Sequence, residues 1–336
     1  QIFNAHYFLA QFRWLRADHK IAYNFTEKMM QDAQKVKDAE KVALSHFMQG
    51  MLYFYLGNLT QAIENLKKMN SYYVPENCSH LKYIYGMDPG LISGMNTACV
   101  LWAIGYPDQA LLQSQKMLPQ VRLINHSFSS VASLAFNSLL HIFRKDSIAL
   151  EPLGKEIYSV CEKRGFARFI GVGLFKTGFT LVHQGQVKEG INKLLQALEI
   201  YKVTGIRFTL SDLLGSISEA YGMYGDIEKA MDFMEQALTE VQRGNEHYYE
   251  AELYRKACQI EEQSRKFYLD RAAEAFGRAS SVLFAHTLAQ NRGNVYVTKS
   301  MYEQAQGMDT TPSLEKAVEA YEAALALNPK EAVTWS

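Results

Sequence analysis

The chain has 336 residues, 48% of them hydrophobic, with 35 basic residues balanced by 35 acidic ones. So apolar a chain can bury a core, which excludes a disordered segment and a small disulfide-stapled scaffold. A net charge of zero speaks against a general nucleic-acid binder, which needs surplus Lys and Arg for phosphates, and leaves self-association unopposed by repulsion.

From the amino terminus the apolar residues keep a 3.6-residue period, broken at regular intervals by short polar stretches. The pattern predicts helices over 3–17 and 19–36, then over 39–56 and 59–72. Tyr73 to Met87 lengthens the next interval and reads as an ordered loop. Asp88 stands where it would cap the following helix, with Pro89 at the first helical position, where a missing N–H costs nothing. Pairs over 90–104 and 107–124, 127–144 and 147–164, 167–184 and 187–204, and 208–224 and 227–242 follow. The last two pairs are 245–264 with 268–283 and 286–306 with 313–328. No window sustains the alternation of a half-buried strand.

The breaks repeat one another. Leu56-Gly57-Asn58-Leu59-Thr60-Gln61-Ala62 returns as Ile104-Gly105-Tyr106-Pro107-Asp108-Gln109-Ala110, as Gln184-Gly185-Gln186-Val187-Lys188-Glu189-Gly190, and as Tyr224-Gly225-Asp226-Ile227-Glu228-Lys229-Ala230. Weaker copies end at Ala22, Ala149, Ala272 and Ala317. Each Gly suits the left-handed residue that ends a helix, and five residues later an Ala or Gly lets two helices approach closely. A helix–turn–helix unit of ~40 residues cannot bury its apolar face alone and must stack on its neighbours. The expectation is an all-α solenoid of about eight hairpins, one unit over 1–336, with long repeats to 260 and terminal repeats from 261. Its contacts should run between neighbouring hairpins.

Hairpins with Gly and Ala at these places resemble tetratricopeptide repeats. The last unit, with Gly293-Asn294-Val295-Tyr296 and the run from Ala317 to Asn328-Pro329, is nearest the ordinary version, although Met308 to Pro312 lengthens its turn. The longer units resemble the C-terminal repeat arrays of large bacterial signalling proteins that carry a cyclase-like, kinase or DNA-binding domain beside a STAND-type ATPase. Tyr85-Gly86-Met87-Asp88-Pro89-Gly90, Leu101-Trp102-Ala103-Ile104-Gly105-Tyr106-Pro107-Asp108-Gln109-Ala110-Leu111, Thr204-Gly205 and Glu250-Ala251-Glu252-Leu253-Tyr254-Arg255 carry that resemblance. It implies a right-handed superhelix whose first helices line the concave face, acting as a sensor or assembly array. Gln1 to Arg16 show neither an initiator Met nor the layout of a signal peptide, which reads as a piece of a longer cytoplasmic chain.

Catalytic chemistry finds no constellation. The nine histidines form no HExxH and no i, i+4 pair, there is no GxSxG, and no GxxxxGK[ST] phosphate loop occurs. Cys78, Cys99, Cys161 and Cys258 lack metal-ligand spacing and read as buried thiols. Gly171, Gly173 and Gly178 follow no strand, so close helix packing explains them better than a dinucleotide site. Lys163, Arg164, Arg168 and Lys176 make a modest basic cluster, either a solvated turn or a site for an acidic partner.

The aromatic residues are the candidates for binding. Phe47, Met51 and Phe54 share one face of a first helix, as do Phe175 and Phe179, while Tyr83 and Tyr85 lie in the insertion. On a concave surface these seven would form an apolar groove for a peptide or a partner helix; packing between hairpins is the competing reading. The expected role is a non-catalytic interaction and regulatory scaffold with no cofactor and no metal. Its expected partner is a protein, a peptide or a second copy, not nucleic acid or a membrane. A free-standing peptide-binding adaptor and an enzyme built on the superhelix are the alternatives.

Overall fold

The computed structural model describes residues 1–260, 265–279, 295–304 and 307–327. The helices are α1 (Ile2–Leu15), α2 (His19–Val36), α3 (Ala39–Tyr55), α4 (Leu59–Tyr72), α5 (Pro75–Cys78), α6 (Leu81–Tyr85), α7 (Pro89–Ala103), α8 (Pro107–Leu123) and α9 (Ser127–Phe143). They continue as α10 (Ser147–Arg164), α11 (Ala167–His183), α12 (Val187–Thr204), α13 (Leu210–Tyr224), α14 (Ile227–Gly244), α15 (Glu250–Ile260), α16 (Arg265–Ala279), α17 (295–304) and α18 (Thr311–Leu327). Among the described residues no strand occurs, and the long helices fall into eight antiparallel pairs. Gly293-Asn294 and Asn328-Pro329, named above, lie outside the described residues. No helix among the described residues is long and apolar enough to cross a membrane.

The two helices of a pair bury different amounts of themselves. First helices such as α3, α9 and α11 are buried on nearly every side, down to Gln49, Asn137 and Lys176. Second helices are amphipathic: α14 buries Ala230, Met234, Ala237 and Val241, one stripe at helical spacing, and turns its charges outward. The first helices therefore form the inner wall and the second helices the outer one. The inner wall joins most of the chain into one hydrophobic core from Phe3 to Ala257, and a smaller cluster runs from Ala251 to Ala317.

The repeat positions do what their chemistry requires. Gly57, Gly105, Gly185 and Gly225 all have positive φ, between 77° and 91°. Ala22, Ala62, Ala110 and Ala230 are fully buried. Gly178 and Gly190 bring the backbones of α11 and α12 together: a Cβ on Gly190 would lie 2.9 Å from the Gly178 carbonyl oxygen. In the fourth hairpin the buried place belongs to Leu150, and Ala149 is half-buried. Leucine at Ala62, Ala110 or Ala230 is expected to cost ~1–3 kcal/mol by overpacking. Thermal melts equal to wild type in all three would remove these residues from the helix interfaces.

The insertion is ordered, as two short helices rather than a loop, α5 and α6. Asp88 caps α7: its Oδ1 accepts the Leu91 N–H at 3.0 Å and the Tyr73 hydroxyl at 3.0 Å, and its own N–H donates to Ser129 Oγ at 2.8 Å. Asp88→Ala is expected to lose the ~0.5–2 kcal/mol of a cap and to leave the Tyr73 hydroxyl without its acceptor. Native-state proteolysis that cuts quickly between 73 and 87 would contradict this ordered junction.

One expectation needs correction. The contacts do not run only between neighbouring hairpins, because the superhelix closes on itself. The segments before α13 and α15 reach back to the turns of the first two hairpins. The N–H groups of Arg207 and Phe208 donate to the Leu15 carbonyl at 2.9 and 3.2 Å, and the His247 N–H donates to Tyr55 O at 2.9 Å. Arg243 donates to Arg16 O at 3.0 Å. Ala17, held at φ 55°, packs on Gly244, where a Cβ would sit 3.0 Å from the Ala17 carbonyl oxygen. At the centre of this clasp, buried His19 places Nε2 3.0 Å from Glu246 Oε1, and Ser211 Oγ donates to Glu246 Oε2 at 2.7 Å. These bonds satisfy turn carbonyls that would otherwise need water.

Candidate partner-binding cleft

Closure fills the middle of the superhelix with the chain's own aromatic rings. Phe208 and Tyr248 enter from the two closing segments. Phe208 lies 4.6 Å from Trp14 and 5.4 Å from Tyr55 between ring centroids, and Tyr248 lies 4.9 Å from Phe54. Two spaces remain on either side of this layer. One is a cavity of about 30 Å3 near the start of α11. The other is a cleft of about 280 Å3 between the C-terminal ends of α7, α9 and α11 and the first turns of α15.

The larger cleft has aromatic walls and charged edges. Phe54, Trp102, Phe143, Phe179, Tyr248 and Tyr249 line it, together with Lys145, Glu219, Glu252, Arg255 and Lys256. Arg255 forks onto Glu252 with two bonds of 2.6 Å. Buried Lys256 sits 2.8 Å from Glu219. Burial alone would raise the Glu219 pKa, but the Lys256 charge overcomes it and holds the carboxyl down at about 2. By the same pairing Lys256 is held above the ordinary lysine range although burial opposes it. Lys145 has only Glu252 at 3.9 Å, and burial followed by the Arg255 charge lowers its pKa. It occupies a left-handed turn, φ 52°, where most other hairpins have Gly. The turn thus carries a side chain into the cleft at the cost of a conformation that L-residues disfavour.

The expected groove of seven residues is not formed. Phe47, Met51 and Phe175 are fully buried between helices and present no surface to a partner. Phe54 and Phe179 are buried too, but their rings reach the cleft wall. Tyr85 is buried against Tyr7, with centroids 4.4 Å apart, and donates to Asn4 Oδ1 at 2.9 Å. Tyr83 alone is open, 70% exposed, beside His126 and remote from the cleft lining. The physical reason is packing between neighbouring helices, the competing reading, to which the closing segment adds only the Tyr248 ring over Phe54. The basic cluster also separates. Lys163 and Arg164 are exposed, Arg168 lies over the rings of Phe169 and Phe128, and Lys176 is buried.

Sequence reasoning missed the residues that complete the cleft. It placed 245–249 inside a helix, whereas His247, Tyr248 and Tyr249 belong to the closing segment before α15. The signal was present: Gly244-Asn245 stops a helix, with Asn245 left-handed at φ 54°, as Gly205 does before Ile206-Arg207-Phe208. The four cysteines are buried, and burial pushes both Cys99 and Cys161 up to about 12, which suits packing rather than nucleophilic attack. No group of three or more His, Cys, Asp or Glu that could hold a metal occurs among the described residues.

Comparison with known proteins agrees with this architecture. Residues 43–71 match the tetratricopeptide repeat family. No curated protein matches the chain. Among solved structures, a Rap protein complexed with competence and sporulation factor is 13% identical, with 96% of this chain and 84% of that chain covered and a TM-score of 0.63. Aspartyl phosphate phosphatase F from Bacillus subtilis is 12% identical over 91% of this chain and 75% of that one, with a TM-score of 0.50. A signal transduction ATPase with numerous domains and a tetratricopeptide repeat sensor, from Pyrococcus horikoshii, is 14% identical over 98% of this chain and 48% of that one, with a TM-score of 0.48. At these identities the likeness to the first two is one of fold. The chain carries a tetratricopeptide repeat within an all-α helical solenoid, the architecture of a protein-interaction scaffold and the fold of the Rap protein.

Proposed function

We propose that the chain is a non-catalytic cytoplasmic scaffold that takes a short peptide segment of a partner protein into the interior cleft. The observation that carries this reading is the lining itself. Trp102, Phe143, Phe179 and Tyr248 offer apolar contact, and Lys145, Arg255 and Glu252 offer fixed charges to orient a backbone. Binding inside a closed superhelix touches several hairpins at once, so it can bias how the repeats stack and hence whatever they are attached to. The complex of the Rap protein with competence and sporulation factor supports the reading by analogy of fold. The resemblance of the Gly105-Tyr106-Pro107-Asp108-Gln109-Ala110 string and its companions supports a finer role as the sensor or assembly array of a signalling ATPase.

A peptide library panned on the full chain, followed by titration calorimetry of the selected peptide, tests the reading. Trp102 and Lys145 line the cleft without belonging to the fully buried core. Trp102→Ala and Lys145→Ala should each weaken binding about tenfold or more, with melting temperatures close to wild type. Leu112→Asp, on the outer face of α8, should bind as wild type does. Loss of binding in Leu112→Asp with full affinity in Trp102→Ala would move the site to the outer wall.

A further inference from the structure

The smaller cavity, about 30 Å3, is lined by Trp14, Phe136, Arg168, Lys176, Phe208 and Thr209 among others. Two of these carry positive charge, and no carboxylate lines it. We propose that this cavity is a binding site for a small monovalent anion, of the size of chloride, nitrate or formate, held between Arg168 and Lys176.

A charge shut away from water needs a counter-charge. Lys176 is 2% exposed and Arg168 is half-buried, and among the described residues neither has a carboxylate within ion-pair distance. Both cations rest on rings instead: Lys176 Nζ lies 4.2 Å from the Phe175 centroid and the Arg168 guanidinium 4.3 Å from that of Phe169. Ring faces recover only part of the hydration a buried cation gives up. The Trp14 indole N–H is buried as well and has no acceptor. A donor left alone in an apolar interior costs free energy that a small anion would return.

The other titratable groups near the two cations supply at most one negative charge, that of Asp212. Cys99 beside Lys176 and Cys161 beside Arg168 are neutral thiols pushed up to about 12. Tyr201 near Arg168 shares its hydroxyl with Thr209 at 3.1 Å. Asp212 is the one carboxylate acting on Lys176, from a distance, and its Oδ2 accepts the Tyr248 hydroxyl at 2.6 Å. Burial, followed by the Glu246 charge, pushes Asp212 up to about 7. Two cations thus face at most one negative charge. Burial also pulls Lys176 down to about 8 and Arg168 to about 10, the direction expected of cations short of a counterion. The volume admits only an ion of a few atoms, which separates this site from the peptide-sized cleft.

Two measurements on the full chain decide the matter. Crystals soaked in bromide should show an anomalous peak between Arg168, Lys176 and Trp14. In solution, replacing gluconate by chloride at constant ionic strength should raise the melting temperature by ~3–5 °C at a hundredfold excess over the dissociation constant. Lys176→Met and Lys176→Gln should fold and lose that response, because each removes the charge while filling similar space. An empty cavity in the bromide map would overturn the proposal. So would an anion response that survives both substitutions.

Discussion

Replacing Glu246 by alanine is expected to cost ~3–5 kcal/mol, measured as the shift in urea unfolding of the full chain. Removing one partner of a buried pair leaves the other with neither water nor a bond. Here the loss falls on two groups, the buried His19 ring and the Ser211 hydroxyl, which lie 3.0 and 2.7 Å from the carboxylate. The damage is not local, because Glu246 stands in the clasp between the first hairpin and the segment that precedes α15. The radius of gyration from solution scattering should rise as the closed superhelix relaxes to an open arc. Glu246→Gln keeps an acceptor of the same shape and should lose less, ~1–3 kcal/mol. An alanine variant as stable and as compact as wild type would mean that closure does not rest on this pair.

The second large effect is expected at Lys256. Its ion pair with Glu219 is shut between α13 and α15 at the cleft floor. The folded pKa of Glu219 is depressed from 4.5 to about 2. Its contribution to stability is therefore complete above about pH 4.5 and is lost as pH falls through about 2. The depression corresponds to ~3 kcal/mol across that window. In Lys256→Ala the Glu219 carboxylate loses its partner, and stability at neutral pH should fall by ~3–5 kcal/mol. Lys256→Met fills the space and should fall less. Wild type is expected to lose stability steeply between pH 4.5 and 2, and both variants should lack that acid limb. An acid limb of unchanged slope in Lys256→Met would assign the Glu219 shift to another neighbour.

The helical hairpins were legible because their determinants are local. Gly57 or Gly225 ends a helix, Asp88 with Pro89 starts one, and Ala62 or Ala230 marks a close contact, each within a few residues. Both ends of α2 and α4 fall where the period of apolar residues puts them. Closure was illegible because it depends on how small rotations accumulate over six hairpins, which no window of sequence records. His19 and Glu246 are 227 positions apart, and neither has a neighbour that names the other. The candidate site inherited that blindness. Phe47 and Phe175 satisfy the pattern of an exposed concave face, yet the helices on either side cover them. Conversely, nothing in their sequence neighbourhood marks Lys176 and Lys256 as buried, and only the packed interior gives them that environment. The segments at 205–209 and 245–249 could have been singled out, since a helix stop followed by aromatic residues recurs in both.

In the proposed function a partner peptide binds within the closed superhelix and not on its outer wall. Hydrogen exchange of the full chain, with and without the peptide selected by panning, tests it most directly. Protection is expected for amides in α9, α11, α13 and α15 and in the 245–249 segment, where the cleft lining resides. Protection confined to α8, α10, α12 and α14, with the inner helices exchanging as in the free chain, would contradict it.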